Sequence, residues 1–266
     1  MEKQEILEKY KKEEERLLVS KIFDKISAVE KQNKIQYTDF LSPVELQIVK
    51  KVLNYISYKR YKVYGVIPNS QRNIVVFYPE KLDKVFEEET FDYNSICNTI
   101  RIESLAEQLE HKMYLGGLIK LGLKREKIGD IIVHENGADI IVLKEITKFL
   151  LSHLQELNRF KNSNINAINV KETYIKEQEF EENKIIVSSL RLDNIVSELA
   201  KTSRNKASNI IEEERVFINY ENESKNTKIV NEKDIVTIRG VGKFIINEIV
   251  GNTKSGRYVI IVKKYI

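Results

Sequence analysis

The stretch between residues 95 and 180 switches repeatedly between two hydrophobic periods, and this switching constrains the fold more than any other feature of the chain. Strands are predicted where apolar residues alternate, and helices where they recur at every third or fourth position. In chain order the predicted elements are a strand at 99–103, a helix at 106–121, strands at 130–134 and 138–143, a helix at 144–160 and a strand at 165–170. The order is therefore βαββαβ.

This order predicts an antiparallel sheet with two helices on one face, the ferredoxin-like or RRM-like sandwich. The sequence Glu135-Asn136-Gly137 between the two middle strands has the composition of a hairpin turn. Many RNA-recognition modules have this architecture, but unrelated enzymes have it too, so it says little about function by itself. The strand at 138–143 has no aromatic residue, and we therefore do not expect base stacking on this sheet.

The chain before this module is predicted to be mainly helical. Apolar side chains recur at helical spacing over residues 1–60. Ser42, Pro43 and Glu45 have the arrangement of a capping box with proline at the first helical position. Two β-rich runs then form a predicted hairpin, 61–67 and 73–78.

The chain after the module begins with a polar stretch at 176–184 that we predict to be a linker. Two short amphipathic helices are predicted to follow, one over 192–200 and one that starts after Ser203. Five strands are predicted beyond them, at 216–219, 228–230, 235–239, 244–250 and 258–264. The predicted fold class is thus α+β in three domains, 1–94, 95–180 and 181–266.

Composition excludes several classes of protein. Cys97 is the only cysteine and the three histidines lie far apart, so a disulfide framework and a multi-cysteine zinc site are excluded. The N-terminus has no apolar core of a signal peptide, and no apolar run approaches the length of a membrane span. No nucleotide-binding glycine motif or nucleophile elbow occurs. We expect a cytoplasmic monomer that uses no small-molecule cofactor or metal.

The chain has a formal net charge of +4, and the excess positive charge lies in its last third. Residues 184–266 contain 15 Lys and Arg against 10 Asp and Glu, whereas the other residues contain 29 against 30. A local basic excess suggests a polyanionic partner, although a solvated lysine-rich surface explains it equally well.

The helix pair of the last third contains the strongest candidate for a phosphate-binding site. Arg204 and Lys206 lie in the predicted first turn of the second helix, where the helix dipole and unpaired N–H groups favour an anion. Arg191 enters the first helix and would lie near that turn if the helices pack as a pair. Asp193 is interpreted as a helix N-cap. The predicted RNA-binding residues are Arg191, Ser203, Arg204, Lys206, Lys225, Lys228, Arg239 and Lys243.

This pattern resembles the S4 (αL-type) RNA-binding domain, a small module found in a ribosomal protein, in pseudouridine synthases and in tyrosyl-tRNA synthetases. The residues that carry the resemblance are Arg191, Leu192, Asp193, Ser203, Arg204, Ala207, Ile211, Val216, Asn219 and Asp234. S4 domains usually have glycine where this chain has Glu214, in the turn before a strand. A positive φ at that position would cost Glu214 roughly 1 kcal/mol.

The stretch 111–131, HKMYLGGLIKLGLKREKIGDI, resembles the signature of the bacterial YlmH family. Members of that family have a helical N-terminal domain, an RRM-like middle domain and a C-terminal S4 domain, which is the order predicted for this chain. The resemblance implies binding to ribosomal RNA and tRNA on the large subunit during rescue of stalled translation, which is ribosome-associated quality control. It also implies an association with cell division.

Three basic residues of this stretch, Lys124, Arg125 and Lys127, form a predicted second basic patch. A packed helix followed by a solvated turn explains the same residues, because surface loops are commonly charged.

The sequence as a whole favours a non-catalytic protein that binds structured RNA on the ribosome. Two alternatives stay open. The chain could be an RNA-modifying enzyme of the pseudouridine-synthase type, targeted by its S4 domain and with an active site in residues 1–180. It could also be a protein-interaction adaptor in which the S4 unit serves only for docking.

Overall fold

Helices and antiparallel strands occur along the whole chain, and the predicted α+β class is confirmed. The computed structural model describes residues 3–103, 109–177 and 179–266. Its helices α1 to α8 are Lys3–Leu7, Glu13–Gln32, Pro43–Tyr55, Asp83–Glu87, His111–Lys120, Lys144–His153, Leu192–Leu199 and Arg204–Glu212. Its strands β1 to β13 are Gln36–Tyr37, Tyr61–Tyr64, Ile74–Phe77, Cys97–Glu103, Ile128–His134, Gly137–Leu143, Asn164–Ile168, Phe180–Val187, Val216–Ile218, Glu221–Asn222, Ile235–Ile238, Gly242–Asn252 and Tyr258–Tyr265.

The N-terminal segment is built on the predicted capping box. The Ser42 hydroxyl accepts a hydrogen bond from the Glu45 N–H at 3.3 Å, and the Glu45 carboxylate accepts one from the Ser42 N–H at 2.7 Å. Without these bonds the two backbone N–H groups would have no partner at the start of α3, so the capping box fixes where this helix begins. The predicted hairpin is present as β2 and β3, and the short strand β1 completes a sheet in the order β1-β3-β2.

The middle segment has the predicted ferredoxin-like topology. Its sheet has the order β5-β6-β4-β7, with neighbouring strands antiparallel, as a βαββαβ unit requires. Gly137 begins β6 with φ 151°, and a side chain there would collide with the carbonyl of Ile102. The first helix of the unit, α5, begins at His111, and the predicted helical residues 106–108 lie outside the described residues. The second, α6, ends at His153, and two 3₁₀ turns follow it.

The first two predicted domains share one hydrophobic core. Phe40, Val76 and Phe86 from the N-terminal segment pack with Ile132 and Ile141 of the middle sheet. Contacts therefore divide the chain into two compact units, Met1–Lys176 and Glu177–Ile266, rather than at the predicted boundary between 94 and 95. A pattern of strand and helix periods does not reveal this, because it contains no information on which faces meet.

The C-terminal unit is a six-stranded antiparallel sheet in the order β10-β9-β11-β12-β13-β8, with α7 and α8 packed on one face. Alternate residues of the central strands, such as Val236 and Ile238, face the helices and are buried. Glu214 follows α8 with φ 55°, so it adopts the left-handed conformation in which S4 domains usually have glycine. Among the described residues no helix combines the length and apolarity that a membrane crossing needs.

The predicted linker at 176–184 is wrong over its second half, which belongs to strand β8. Glu181 and Glu182 lie opposite Lys264 and Lys263 of β13, so the charges of the polar run form cross-strand pairs of opposite sign. β8 is the edge strand of the sheet, and edge strands commonly carry charged side chains that discourage association with other chains. A charged edge strand has a linker-like composition for that reason.

We expect β8 to be required for the C-terminal unit to fold. A fragment of residues 177–266 should melt cooperatively in circular dichroism. A fragment of residues 188–266 lacks eight residue pairs with β13 and two core side chains, Ile185 and Val187. It should melt far lower or not cooperatively at all, and equal melting of the two fragments would show that β8 is dispensable.

Candidate nucleic-acid interface

A buried carboxylate lies at the start of the helix pair. Asp193 is the second residue of α7 and is 3% exposed. Its Oδ1 accepts a hydrogen bond from the Asn194 N–H at 2.9 Å and one from Arg191 Nε at 3.3 Å. Its Oδ2 accepts from Arg191 Nη2 at 3.0 Å, and from Nε and Nη2 of Arg204 at 3.0 and 2.8 Å. One carboxylate therefore binds two guanidinium groups.

This arrangement corrects the interpretation of Asp193 as a helix N-cap. Arg191 occupies the N-cap position, and its side chain makes no capping hydrogen bond. The first N–H groups of α7 are satisfied instead by the loop after β10, since Leu192 N donates to Lys228 O at 2.8 Å and Asp193 N donates to Asn226 O at 3.2 Å. An acidic residue within an apolar helical stripe, with arginines 2 and 11 residues away, is the sequence signal for this cluster.

The electrostatics of the cluster keep Asp193 ionised. Burial alone raises the pKa of a carboxyl group, but the hydrogen bonds from Arg204 and Arg191 outweigh burial and lower the pKa of Asp193 below its ordinary value. An ionised Asp193 in turn fixes the planes of both guanidinium groups.

In the described part of the chain neither Nη1 atom of Arg191 and Arg204 donates a hydrogen bond, so both atoms are available to an external acceptor.

The start of α8 adds a cap and an exposed cation. The Ser203 hydroxyl accepts a hydrogen bond from the Lys206 N–H at 3.4 Å, so it caps the helix, and this hydrogen bond accounts for its position. The Lys206 side chain is exposed. Arg191, Arg204 and Lys206 thus place three positive charges against the single negative charge of Asp193, at a helix N-terminus that also favours anions.

Two further predicted residues lie on the loop that supports this cluster. Lys225 and Lys228 are exposed, and the Lys228 N–H donates to Lys225 O at 3.0 Å within a turn. The backbone of the same loop accepts the first N–H groups of α7, as described above. The structure therefore brings six of the eight predicted RNA-binding residues to one end of the helix pair.

Arg239 and Lys243 lie elsewhere. Thr237 pairs with Lys243 on one side and with Phe217 on the other, and this row faces away from the helices because Val236 and Ile238 face toward them. The predicted set of eight residues is therefore divided between two faces of the C-terminal unit. The alternation of side chains along a strand would place Arg239 and Lys243 on the outer face, but only if the register of each strand were known.

The predicted second basic patch is corrected for two of its three residues. Lys127 Nζ lies 2.7 Å from Asp39 and 2.7 Å from Glu145, and Arg125 donates to the carbonyls of Ile128 and Gly129. Both side chains therefore hold parts of their own unit together. Lys124 is exposed. These partners lie far away in sequence or on the backbone, so the pattern of charges did not predict them.

Two buried groups of the described residues, a thiol and a carboxylate, lie in environments that reduce their reactivity. Cys97 is buried, and burial raises the pKa of its thiol to about 12, so the reactive thiolate is scarce at neutral pH. No three His, Cys, Asp or Glu side chains in the described ranges form a group that could hold a metal ion. The Asp193 carboxylate is bound by two arginines, and an ionised carboxylate held in this way is a poor base or nucleophile.

The fold and this site thus define an α+β protein with a ferredoxin-like module and a separate C-terminal sheet. The helix pair on that sheet presents two guanidinium groups, a geometry suited to anionic oxygen atoms.

Comparisons with known proteins show what this chain resembles. Residues 87–173 match the family model described as "Putative RNA-binding domain in YlmH". The chain is 26% identical over 247 residues to the ribosome-associated protein quality control protein P2 of Bacillus subtilis (strain 168), and the match covers 93% of this chain and 94% of that protein. It is also similar to the solved structure of the cell division protein ylmH from Streptococcus pneumoniae, with a TM-score of 0.47, 18% identity, and coverage of 63% of this chain and 98% of that chain. The resemblance to the YlmH family is confirmed.

Arg204→Ala should destabilise the protein more than Lys206→Ala. Arg204 is half exposed, yet it donates two hydrogen bonds to a buried carboxylate, so its removal should cost about 1 kcal/mol after allowance for solvent screening. Lys206 makes no such hydrogen bond with its side chain, and its removal should cost no more than about 0.5 kcal/mol. Thermal melts of the two variants beside wild type check this. Equal melting of both variants would show that the Asp193 pair contributes nothing to stability.

The stability due to Asp193 should depend on pH. A carboxyl group whose pKa is lowered by folding stabilises the native state above its unfolded pKa, and this stability is lost as the pH falls through the folded pKa. Wild type should therefore melt higher than Asp193→Asn at pH 7, and the difference should shrink below about pH 3.8, the ordinary value for this group. A difference that stays constant from pH 7 to pH 3 would contradict the ionised pair.

Proposed function

We propose that this protein is a non-catalytic RNA-binding protein that acts on the ribosome. The observation that carries the proposal is the pair of guanidinium groups held by Asp193. Arginine binds phosphate through paired N–H groups, and a guanidinium already fixed by a carboxylate loses less entropy when a phosphate arrives. The match of residues 87–173 to a family model for RNA binding supports the same partner from the other unit.

The finer proposal is that the RNA is ribosomal RNA and tRNA on the large subunit. It is supported by the overall similarity to a relative named for ribosome-associated protein quality control, which extends over 93% of this chain. The C-terminal unit would serve as an S4 domain that grips the RNA backbone, and the protein would contribute to rescue of stalled translation. A cytoplasmic location and a monomeric state are expected from the sequence analysis and are proposed with it. An association with cell division is implied by the family resemblance and is proposed as well.

The absence of catalysis is also part of the proposal. The resemblance to S4 domains includes those of pseudouridine synthases. In those enzymes a catalytic aspartate lies in a separate, larger domain. Asp193 belongs to the helix pair, and both of its oxygen atoms already accept hydrogen bonds from arginines. Asp139, the buried carboxylate of the middle sheet, is likewise bound by both Nε and Nη2 of Arg101 at 2.8 Å. Neither carboxylate has a free oxygen directed at a substrate.

RNA binding should weaken with salt in a way that reports how many phosphates the protein neutralises. Removing one cation that binds a phosphate should reduce the slope of log affinity against log salt by about one unit. Arg204→Ala and Lys206→Ala should each weaken binding of a structured RNA hairpin, and the slope of the double variant should be smaller by about two units. Fluorescence anisotropy at several salt concentrations, below the melting temperature of every variant, measures this slope.

Cosedimentation with large ribosomal subunits at low and high salt then tests the ribosomal partner.

A matched control is Lys12→Ala in the other unit, where the lysine side chain is 78% exposed. This variant should retain the wild-type slope. A double variant that is folded and binds with unchanged affinity and slope would contradict the placement of the site. Nucleoside analysis of the incubated RNA completes the experiment, and the appearance of pseudouridine would contradict the non-catalytic proposal and support the modifying enzyme.

A further inference from the structure

The C-terminal sheet has an outer face that the helix pair does not cover. The helices pack on the face formed by Val216, Val236 and Phe244, so the alternate residues of the same strands face outward. One outward row runs across five strands, in the order Phe217, Thr237, Lys243, Tyr265 and Phe180. Four strand spacings make this row about 19 Å long.

Aromatic rings and cations alternate on this face. Arg239 lies 4.8 Å from the centre of the Phe217 ring, and Lys263 lies 6.0 Å from that of Phe180. Lys243 Nζ lies 4.8 Å from the centre of the Tyr220 ring and 4.4 Å from that of Tyr265. Of the five cation–π pairs in the described residues, four are on this face. The folding of a sheet does not require so many cation–π pairs on one face, because any well-packed cross-strand pairs of side chains stabilise its strands.

The charge of the face is complementary to a polyanion. By register, the outward positions include the cations Lys184, Arg239, Lys243 and Lys263. The carboxylates at outward positions are Glu182, which lies opposite Lys263, and Glu248, which lies beyond a bulge. The cations therefore outnumber the carboxylates among the described outward residues. Aromatic rings set among cations are the chemistry of single-stranded nucleic-acid sites, because bases stack on the rings while the cations meet the phosphates.

We propose that the outer face of the C-terminal sheet binds unpaired bases of RNA by stacking, as a site separate from the Asp193 cluster. The proposal rests on the proposed function for its partner, and it extends that function from the backbone of structured RNA to single-stranded segments. RRM domains stack two or three bases on a four-stranded sheet, so a row across five strands is long enough for a similar number. The flexible stem of Lys263 allows its charge to move from the Phe180 ring to a phosphate.

The middle module cannot supply this stacking surface. The corresponding face of its sheet is covered, since Ile132 and Ile141 pack against Phe40, and Thr99 Oγ1 lies 2.6 Å from Thr173 Oγ1. An RRM-like topology is thus present without its usual base-binding face, whereas the C-terminal sheet has aromatic rings on a face that its own helices leave open.

The test uses the full chain and two probes, a labelled 12-nucleotide oligouridylate and a 12-base-pair RNA duplex. Phe217→Leu and Tyr265→Leu each remove a ring and retain an apolar side chain. Each should weaken oligouridylate binding about tenfold and change duplex binding less than about twofold. Arg204→Ala should show the opposite preference, because it acts on the backbone site. Tyr265→Phe retains the ring and should bind as wild type does, and Phe149→Leu removes a partly exposed ring from the other unit and should have no effect on either probe.

The outcomes separate this proposal from the proposed function. If wild type binds the duplex but not oligouridylate, or if folded ring variants bind oligouridylate with wild-type affinity, the stacking face is refuted while RNA binding stands. If wild type binds neither probe nor the ribosome, the proposed function fails and the stacking face fails with it. If the ring variants bind both probes normally but no longer cosediment with ribosomes, the face contacts a protein, which also overturns the proposal.

Discussion

The candidate site depends on one buried ion cluster, the Asp193 carboxylate between two guanidinium groups. A carboxylate at this depth is costly to bury alone, and its cost is offset only while both arginines remain in place. The apolar residues beneath it, including Val196, Ala207 and Ile211, fix the spacing of the helix pair. Packing therefore sets the distance between the helices, the carboxylate sets the orientation of the arginines, and the surface presents two guanidinium groups in a fixed geometry before any RNA arrives.

The two units differ in how their sheets are covered, and their topologies alone would not predict which sheet has a face that its own helices leave open. The N-terminal unit contains the module with RRM-like strand order, yet its sheet face is used as an interior surface, with Phe40 and Phe86 packed among the strands. Any RNA contact of that module must then use its helices, loops or strand ends. The C-terminal unit has only two short helices for six strands among its described residues, so one side of its sheet is not covered by its own helices.

Elements with a strong local signal were predictable from the sequence. The capping box at Ser42, the hairpin turn before Gly137 and the βαββαβ order each depend on residues close together in the chain. The errors arose where a partner is distant. The sequence predicts a linker where strand β8 begins, because the lysines that match its carboxylates are about 80 residues away. It predicts a basic patch that includes Lys127, although Asp39 and Glu145 neutralise this lysine. For the candidate site, residue types were sufficient to select Arg191 and Arg204, but register was needed to separate Arg239 and Lys243 from them.

The net charge of a segment is a weak guide to the quality of a phosphate site, because a carboxylate that fixes an arginine also cancels its charge. Part of the positive charge of residues 184–266 is cancelled by carboxylates that position cations, as Asp193 does for Arg191 and Arg204 and Glu213 does for Arg215. Such a pair lowers the total charge yet improves the site, since it fixes donor atoms that a mobile side chain would have to order on binding. The salt dependence of binding reports the phosphates neutralised rather than the charges present. A modest net charge is therefore compatible with strong backbone contacts when the cations are held in place.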